Sequence, residues 1–209
     1  MSKRLRKMLV RISRYLACAL CGRAPYRDQF LLAWLLVVGL CWILVNAQPS
    51  SMWILHLLLS LSLFALLSAI CAIDARFGII PDSLVGALAM GGVAAVSLQD
   101  PDAIMSRLAD AAIVAIAIAS FRSMFRWVRG YDGLGFGDVK FLAAATLWIG
   151  LRSLPVVLLV AVVSALASAF LLASQRYEVD GRHAIPFGPH LAVGLWLAWV
   201  FDPMGLLSG

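Results

Sequence analysis

Charged residues are scarce in this sequence. They make up 13% of its 209 residues, whereas 63% are hydrophobic and the mean hydropathy is +0.94. An ordinary soluble domain has about 25% charged residues, so this composition excludes a soluble globular protein. The apolar residues form long continuous runs, whereas a transmembrane β-barrel needs short alternating strands of about ten residues. We therefore predict an all-α, polytopic integral membrane protein.

Signatures of metal, nucleotide and serine chemistry are also missing. The sequence has no His-Glu-x-x-His and no Gly-x-Ser-x-Gly motif, and "GLGFGDVK" (133–140) lacks the Gly-Lys-Ser/Thr of a phosphate-binding loop. Of the four cysteines, Cys41 and Cys71 lie inside apolar runs. The remaining pair, Cys18 and Cys21, cannot by itself complete a four-ligand zinc site. We expect no metal, no cofactor and no nucleic-acid partner.

Long apolar runs predict about seven membrane-spanning helices. Six is the alternative count, because the first run could pack beside the basic segment that precedes it. That segment, residues 1–29, is predicted to be a cytoplasmic arm lying on anionic lipid, and residues 30–209 form the transmembrane domain. The predicted spans are 30–46, 52–73, 82–98, 108–126, 138–151, 154–174 and 186–205.

The distribution of basic residues predicts the orientation. Short cytoplasmic loops are enriched in lysine and arginine. With the N-terminus in the cytoplasm, only Arg107 and Arg152 of the 17 basic residues fall on the opposite side. The same orientation places the stretches "DARFGIIPD" (74–82) and "GLGFGDVK" (133–140) together at the cytoplasmic boundary of the membrane.

Two aspartates stand out at that boundary. Asp74 follows the uncharged run 52–73, and Asp138 is the first residue of the predicted span 138–151. An ionisable group at membrane depth indicates a functional site by default. If the two helices pack together, one carboxyl can stay protonated as a general acid while the other, ionised, activates water against a peptide carbonyl. The sequence does not say which aspartate has which role.

The residues alone leave simpler alternatives open. A lone aspartate at a helix end is more often an N-cap or an interfacial charge, and Asp82 fits an N-cap of the span that follows it. Gly135 and Gly137 would let a substrate strand approach the backbone, or would form a flexible hinge. Lys140 fits an interfacial side chain, or one that orients Asp138 or a substrate carboxyl.

Three stretches resemble one known family. "GFGDVK" (135–140) is similar to the Gly-x-Gly-Asp motif of the type IV prepilin peptidases, which are aspartic proteases of the membrane boundary. "DARFGIIPD" (74–82) resembles their other aspartate segment, and "HAIPFGPHLAVG" (183–194) resembles the Ile-Pro-Phe-Gly-Pro segment that leads into their last span. The resemblance covers about residues 52–205, which would be the catalytic core.

The resemblance implies a prepilin leader peptidase in the bacterial inner membrane. Such an enzyme removes the short basic leader from type IV prepilins or pseudopilins at the cytoplasmic face, so its partners are that substrate protein and membrane lipid. It implies Asp74 and Asp138 as the catalytic pair. The residues implied to shape the loops or bind substrate are Pro81, Gly135, Gly137, Lys140, Pro186 and Gly188.

One departure from the family pattern concerns methylation. Many members carry a methyltransferase domain with two Cys-x-x-Cys pairs after the first span. Here the corresponding loop, "NAQPSS" (46–51), is short and uncharged. We therefore expect a core peptidase without that activity. The alternatives from the composition are a small ion- or proton-coupled transporter, or a non-catalytic component of a pilus or secretion machine.

Overall fold

The computed structural model describes Gly39 and residues 53–131, 133–174 and 186–201. These residues form helices joined by turns, which confirms the predicted all-α class. The predicted arm, Cys18, Cys21 and nearly all of the first predicted span lie outside the described residues. The helices are α1 (Trp53–Phe77), α2 (Asp82–Gln99), a 3-10 turn (Pro101–Ala103), α3 (Ile104–Arg129), α4 (Phe136–Ser174) and α5 (Gly188–Phe201).

The long helices have the size and composition of membrane spans. Four segments of the described chain are long and apolar enough, by length and composition, to cross a membrane: Trp53–Phe77, Asp82–Gln99, Pro101–Arg129 and Phe136–Ala169, of which the last is broken at Gly150. α5 has 14 residues and is therefore about 21 Å long. This is less than the roughly 30 Å hydrocarbon core of a bilayer. The polytopic membrane class is thus confirmed.

α4 contains two arms separated by a break at Gly150. The backbone there has φ 76° and ψ 169°, a region that is essentially restricted to glycine. Before the break, Trp148 packs edge-on against Trp199 of α5, with ring centroids 5.4 Å apart. After it, Ser164 lies beside His190, near the start of α5. The second arm (151–174) therefore runs antiparallel to the first (136–149), as the separate predicted spans 138–151 and 154–174 require.

Contacts along the helices show how the other elements run. The Leu88 carbonyl of α2 accepts a hydrogen bond from the Trp148 indole at 2.8 Å, and Asp82 at the start of α2 pairs with Lys140 near the start of α4. α2 and the first arm of α4 are therefore parallel. α3 is antiparallel to that arm, because Arg122 bonds to the Leu134 carbonyl whereas Asp110 accepts from the Leu151 N–H.

The bundle consequently has two distinct ends. We call one the aspartate end; it carries residues 74–82, 133–140 and 186–190. We call the other the tryptophan end; it carries Trp148, Trp199 and the link between α2 and α3. Buried apolar side chains fill the space between them, among them Leu63, Leu67, Ile70, Leu88, Phe141, Leu191 and Trp196.

α3 contributes little to this core. Val114 is its one buried residue, and Trp127 near its C-terminus is 86% exposed. Because residues 111–121 of the helix carry no charge, its outer face there has the character of a lipid-facing surface. The core is built mainly from α1, α2, α4 and α5, which are the helices that position both aspartates.

Candidate active site

Asp74 lies in the last full turn of α1 and is 4% exposed. Its Oδ2 accepts a hydrogen bond from the backbone N–H of Gly188, at 2.9 Å. Gly188 begins α5, where the first N–H groups have no partner inside the helix. The helix start therefore supplies a donor to a buried carboxyl group that would otherwise be poorly solvated.

The close approach of Gly188 to Asp74 requires a glycine. A Cβ atom built on Gly188 would lie 2.6 Å from Asp74 Oδ2 and 2.9 Å from its Cγ. Real Cβ atoms essentially never come so close to another heavy atom. The glycine predicted at this position thus has a direct role in the geometry around Asp74, because any side chain would displace the carboxyl or the helix.

Asp138 lies in the first turn of α4 and is half-buried. Its carboxyl group accepts a hydrogen bond from the Gly135 N–H and interacts electrostatically with Asp74. Two carboxyl groups that are distant in sequence therefore lie at the same end of the bundle, near enough for their charges to interact. Their environments differ, since Asp74 is held by another helix whereas Asp138 is held by the loop just before its own.

The glycine loop is shorter than the sequence pattern suggested. α4 begins at Phe136, so Gly137 is already helical, and only Gly133 to Gly135 form the bent approach to the helix. A Cβ on Gly137 would lie 3.2 Å from the Cβ of Ile80. The segment that follows Asp74 is therefore packed closely on the turn that carries Asp138.

Lys140 and Asp82 form an ion pair between the two aspartate segments. Lys140 Nζ lies 2.8 Å from Asp82 Oδ1 and also 4.9 Å from the centre of the Phe136 ring. The interpretation of Asp82 as an N-cap is wrong: Pro81 precedes the helix as its N-cap, and Asp82 is its first residue. The pair joins the first turns of α2 and α4.

The two prolines named from the sequence precede helices, as expected. Pro81 is extended, with φ −66° and ψ 135°, and its carbonyl accepts hydrogen bonds from Leu84 and Val85. Pro186 is half-buried and lies just before α5. The next residue, Phe187, accepts the first backbone bonds of that helix. Both prolines therefore border helix starts at the aspartate end.

His190 is a residue whose setting the sequence did not reveal. It follows the Ile-Pro-Phe-Gly-Pro stretch and is buried, with 3% exposure. Its Nδ1 lies 3.0 Å from Ser164 Oγ on the second arm of α4. A serine within an apolar run gave no signal of this contact. His183 lies outside the described residues.

A small cavity adjoins the glycine loop. It has a volume of about 160 Å³ and is lined by Phe121, Arg122, Phe125, Gly133 and Leu134. Arg122 closes one side through a 2.9 Å hydrogen bond from Nε to the Leu134 carbonyl. Across the described residues, no group of three or more histidine, cysteine or acidic side chains is placed to hold a metal ion. The described acidic side chains at this end that are not exposed are those of Asp74 and Asp138.

Comparison with known proteins identifies the family. The sequence profile of the type IV leader peptidase family matches residues 59–170, a segment that includes both aspartates. Curated relatives named prepilin leader peptidase/N-methyltransferase occur in Burkholderia pseudomallei, Dickeya chrysanthemi and Aeromonas hydrophila. No solved structure matches the chain.

The relatives are similar over much of this chain but are longer than it. The Burkholderia protein is 38% identical over 141 residues, 66% of this chain and 44% of that protein. The Dickeya protein is 32% identical over 181 residues, 81% of this chain and 56% of that protein. The Aeromonas protein is 36% identical over 148 residues, 68% of this chain and 48% of that protein.

This chain therefore spans about half the length of the curated relatives it matches. The profile match covers more than half of the chain itself. The family predicted from the three motifs is confirmed: this membrane protein belongs to the type IV leader peptidase family.

Proposed function

We propose that this chain is an aspartic endopeptidase that removes the short basic leader from type IV prepilins or pseudopilins. The observation that carries the proposal is the placement of Asp74 and Asp138 at the same end of the bundle, near enough for their charges to interact. Family membership supports a leader peptide as the substrate. The names of the relatives support a prepilin as its source.

Two neighbouring carboxyl groups suffice for peptide hydrolysis. The ionised carboxylate removes a proton from a water molecule, whose oxygen adds to the carbonyl carbon of the scissile peptide bond. The protonated carboxyl then gives its proton to the leaving amine nitrogen as the C–N bond breaks. One water is consumed, and the products are the leader carboxylate and the mature N-terminal amine.

The surroundings of the two aspartates support a defined direction of substrate approach. Asp74 is buried against the start of α5, whereas Asp138 is half-buried and follows the exposed residues Gly133 and Gly135. The glycines of this bent stretch leave room for an extended substrate strand to approach. We propose that the leader enters from this side and that Asp138 is the first of the pair to meet it.

The charge distribution supports a cytoplasmic active site in the bacterial inner membrane. Basic residues concentrate at the aspartate end, whereas the tryptophan end carries Arg107 and Arg152 among the described residues. Cytoplasmic ends of membrane helices carry this excess. The basic residues described at the aspartate end are Arg76, Arg122, Arg126, Arg129 and Lys140.

We further propose that residues 30–209 act as a peptidase unit, with the catalytic core at 52–205 and the basic arm 1–29 on the membrane surface. Methylation of the product by this chain is not part of the proposal, because its sequence has one Cys-x-x-Cys pair and a short 46–51 loop. A mature prepilin with an unmethylated N-terminus is the expected product.

The test uses the purified full chain, reconstituted in lipid, and a type IV prepilin that retains its leader. Gel mobility follows processing, and mass spectrometry identifies the cut bond and any methylation. We expect wild-type cleavage, and a loss of at least about a hundredfold for Asp74→Asn and for Asp138→Asn. Asp102→Asn is the matched control, because Asp102 is exposed in the 3-10 turn at the other end.

Two results would overturn the proposal. One is a wild-type chain that does not process prepilins under conditions in which it is folded and inserted. The other is normal processing by either single variant, which would show that the two carboxyl groups are not the catalytic pair. A loss of processing in Asp102→Asn as well would indicate general damage by the substitution.

A further inference from the structure

A buried histidine lies close to the aspartate pair, and the proposed hydrolysis does not use it. His190 is in the first turn of α5, two residues after Gly188, and is 3% exposed. Gly188 is the residue whose N–H bonds to Asp74. An imidazole buried in an apolar helix is unfavourable unless a hydrogen bond compensates it, so its partner is informative.

The surroundings of Ser164 favour one direction for the hydrogen bond of His190. Ser164 Oγ lies 3.0 Å from the Ala161 carbonyl of its own helix, as a donor to it. A serine hydroxyl has one hydrogen to donate, which leaves its oxygen as an acceptor towards His190. We therefore assign the 3.0 Å contact as a bond from the His190 Nδ1–H to Ser164 Oγ, and it joins α5 to the second arm of α4.

This bond lies in the first turn of α5, and the position of that turn determines the contact between the Gly188 N–H and Asp74. Farther along α5, Gly194 packs directly on the second arm, since a Cβ there would lie 2.5 Å from the Val157 carbonyl oxygen. That contact sets the spacing of the two helices but offers no directional bond at the helix start. The bond from His190 to Ser164 supplies one, two residues along the helix from the N–H group that holds Asp74.

We propose that His190 is a positioning residue for the aspartate pair. Its Nδ1–H bond to Ser164 fixes the first turn of α5, so that the Gly188 N–H holds the Asp74 carboxyl against Asp138. His190 does not itself transfer protons to or from the substrate. This proposal rests on the proposed peptidase function, because its consequence is measured as catalysis.

Two substitutions of His190 separate positioning from simple core filling. The side-chain amide of asparagine can place a donor nitrogen where the imidazole has Nδ1, whereas the longer glutamine places it nearer the position of Nε2. A positioning role through Nδ1 predicts that His190→Asn retains activity and that His190→Gln does not. A role as buried volume predicts no advantage for the smaller asparagine.

Ser164→Ala tests the other partner of the same bond. Ser97→Ala is its matched control: Ser97 is also half-buried and donates to a carbonyl of its own helix, that of Val93, at 2.7 Å. Ser97 lies near the end of α2, away from the aspartates. Both substitutions delete one hydroxyl, but only the first removes the acceptor of His190.

The experiment measures kcat and KM for prepilin cleavage by the reconstituted full chain. We expect Ser164→Ala and His190→Gln to lower kcat roughly three- to twentyfold with KM unchanged, the range of one interhelical hydrogen bond in a membrane. His190→Asn and Ser97→Ala should stay within about twofold of wild type. The double variant His190→Gln/Ser164→Ala should be no slower than the slower single variant.

The outcomes distinguish this proposal from the peptidase assignment. Equal kcat values for wild type, Ser164→Ala and His190→Gln would overturn the positioning role, even if Asp74→Asn is inactive. Equal losses in His190→Asn and His190→Gln, or a fall in unfolding temperature that parallels the fall in kcat, would assign His190 to the core. Full activity of Asp74→Asn would overturn the peptidase assignment and this proposal with it.

Discussion

The two ends of the bundle are built from different chemistry. At the tryptophan end, the indoles of Trp148 and Trp199 donate to the Leu88 carbonyl and to Ser60 Oγ, and the two rings pack edge to face. These partners are neutral, and their hydrogen bonds are satisfied in the core. At the aspartate end, two carboxyl groups share one region and depend on backbone N–H groups of Gly188 and Gly135.

The difference indicates how the chain combines stability with reactivity. Neutral pairs with complete hydrogen bonding and large buried rings stabilise the helices against one another. Two neighbouring acidic groups are unfavourable in a low-dielectric site and are retained where chemistry needs them. Changes at the tryptophan end should therefore alter stability, and changes at the aspartate end should alter catalysis.

Apart from the two aspartates themselves, the largest expected effect at the aspartate end comes from Gly188→Ala. The added methyl would collide with the Asp74 carboxyl, and a displacement of about 1 Å in a catalytic group can reduce the rate about a hundredfold. Cleavage kinetics on the reconstituted chain test this. The control is Gly86→Ala, since a Cβ on Gly86 of α2 meets nothing within 4 Å. Wild-type kcat for Gly188→Ala would show that Asp74 does not need this close contact.

Gly150→Ala should change stability and leave catalysis unaltered. The φ of 76° and ψ of 169° at Gly150 make alanine unfavourable by about 1–3 kcal/mol. The guanidinium of Arg107 also occupies the space that the methyl would take. We expect a lower unfolding temperature in detergent, with kcat per folded molecule unchanged. A selective fall in kcat, with no loss of stability, would contradict the separation of the two ends.

The smallest expected effect comes from the Lys140–Asp82 pair. Asp82 is 75% exposed, and exposed ion pairs contribute about 0.2–1 kcal/mol. Lys140→Ala should therefore reduce cleavage by at most about fivefold. The charge-swapped double variant Asp82→Lys/Lys140→Asp should cleave faster than Lys140→Ala, because it restores a pair of opposite charges. Each single reversal, Asp82→Lys or Lys140→Asp, should cleave no faster than Lys140→Ala. A loss far beyond this range in Lys140→Ala alone would indicate direct contact between Lys140 and the substrate.

Much of the fold was predictable from the sequence, because membrane helices are encoded by long apolar runs. The predicted spans 52–73, 82–98 and 108–126 correspond to α1, α2 and α3 with small boundary shifts. The reversal at Gly150 was also predicted as two separate spans. Hydropathy could not show which helices touch, because apolar side chains facing lipid and core are alike in composition.

The site was predictable to the extent that motifs carry it. The two aspartates were named and do lie at the same end, and family membership followed from three short stretches. The bond from Gly188 to Asp74, the burial of His190 and the pairing of Asp82 with Lys140 were not predicted. Each depends on the relative placement of helices that are distant in sequence, and no local pattern encodes that placement.

The most direct test of the central claim compares three variants in one assay. Single-turnover cleavage of a prepilin is measured for Asp74→Asn, Asp138→Asn and the double variant. Folding of each variant is checked by its elution from a size-exclusion column in detergent. Residues that act as one unit have strongly non-additive effects, so all three rates should fall to the same background. Measurable cleavage by one single variant, abolished only in the double variant, would contradict a shared two-carboxylate mechanism.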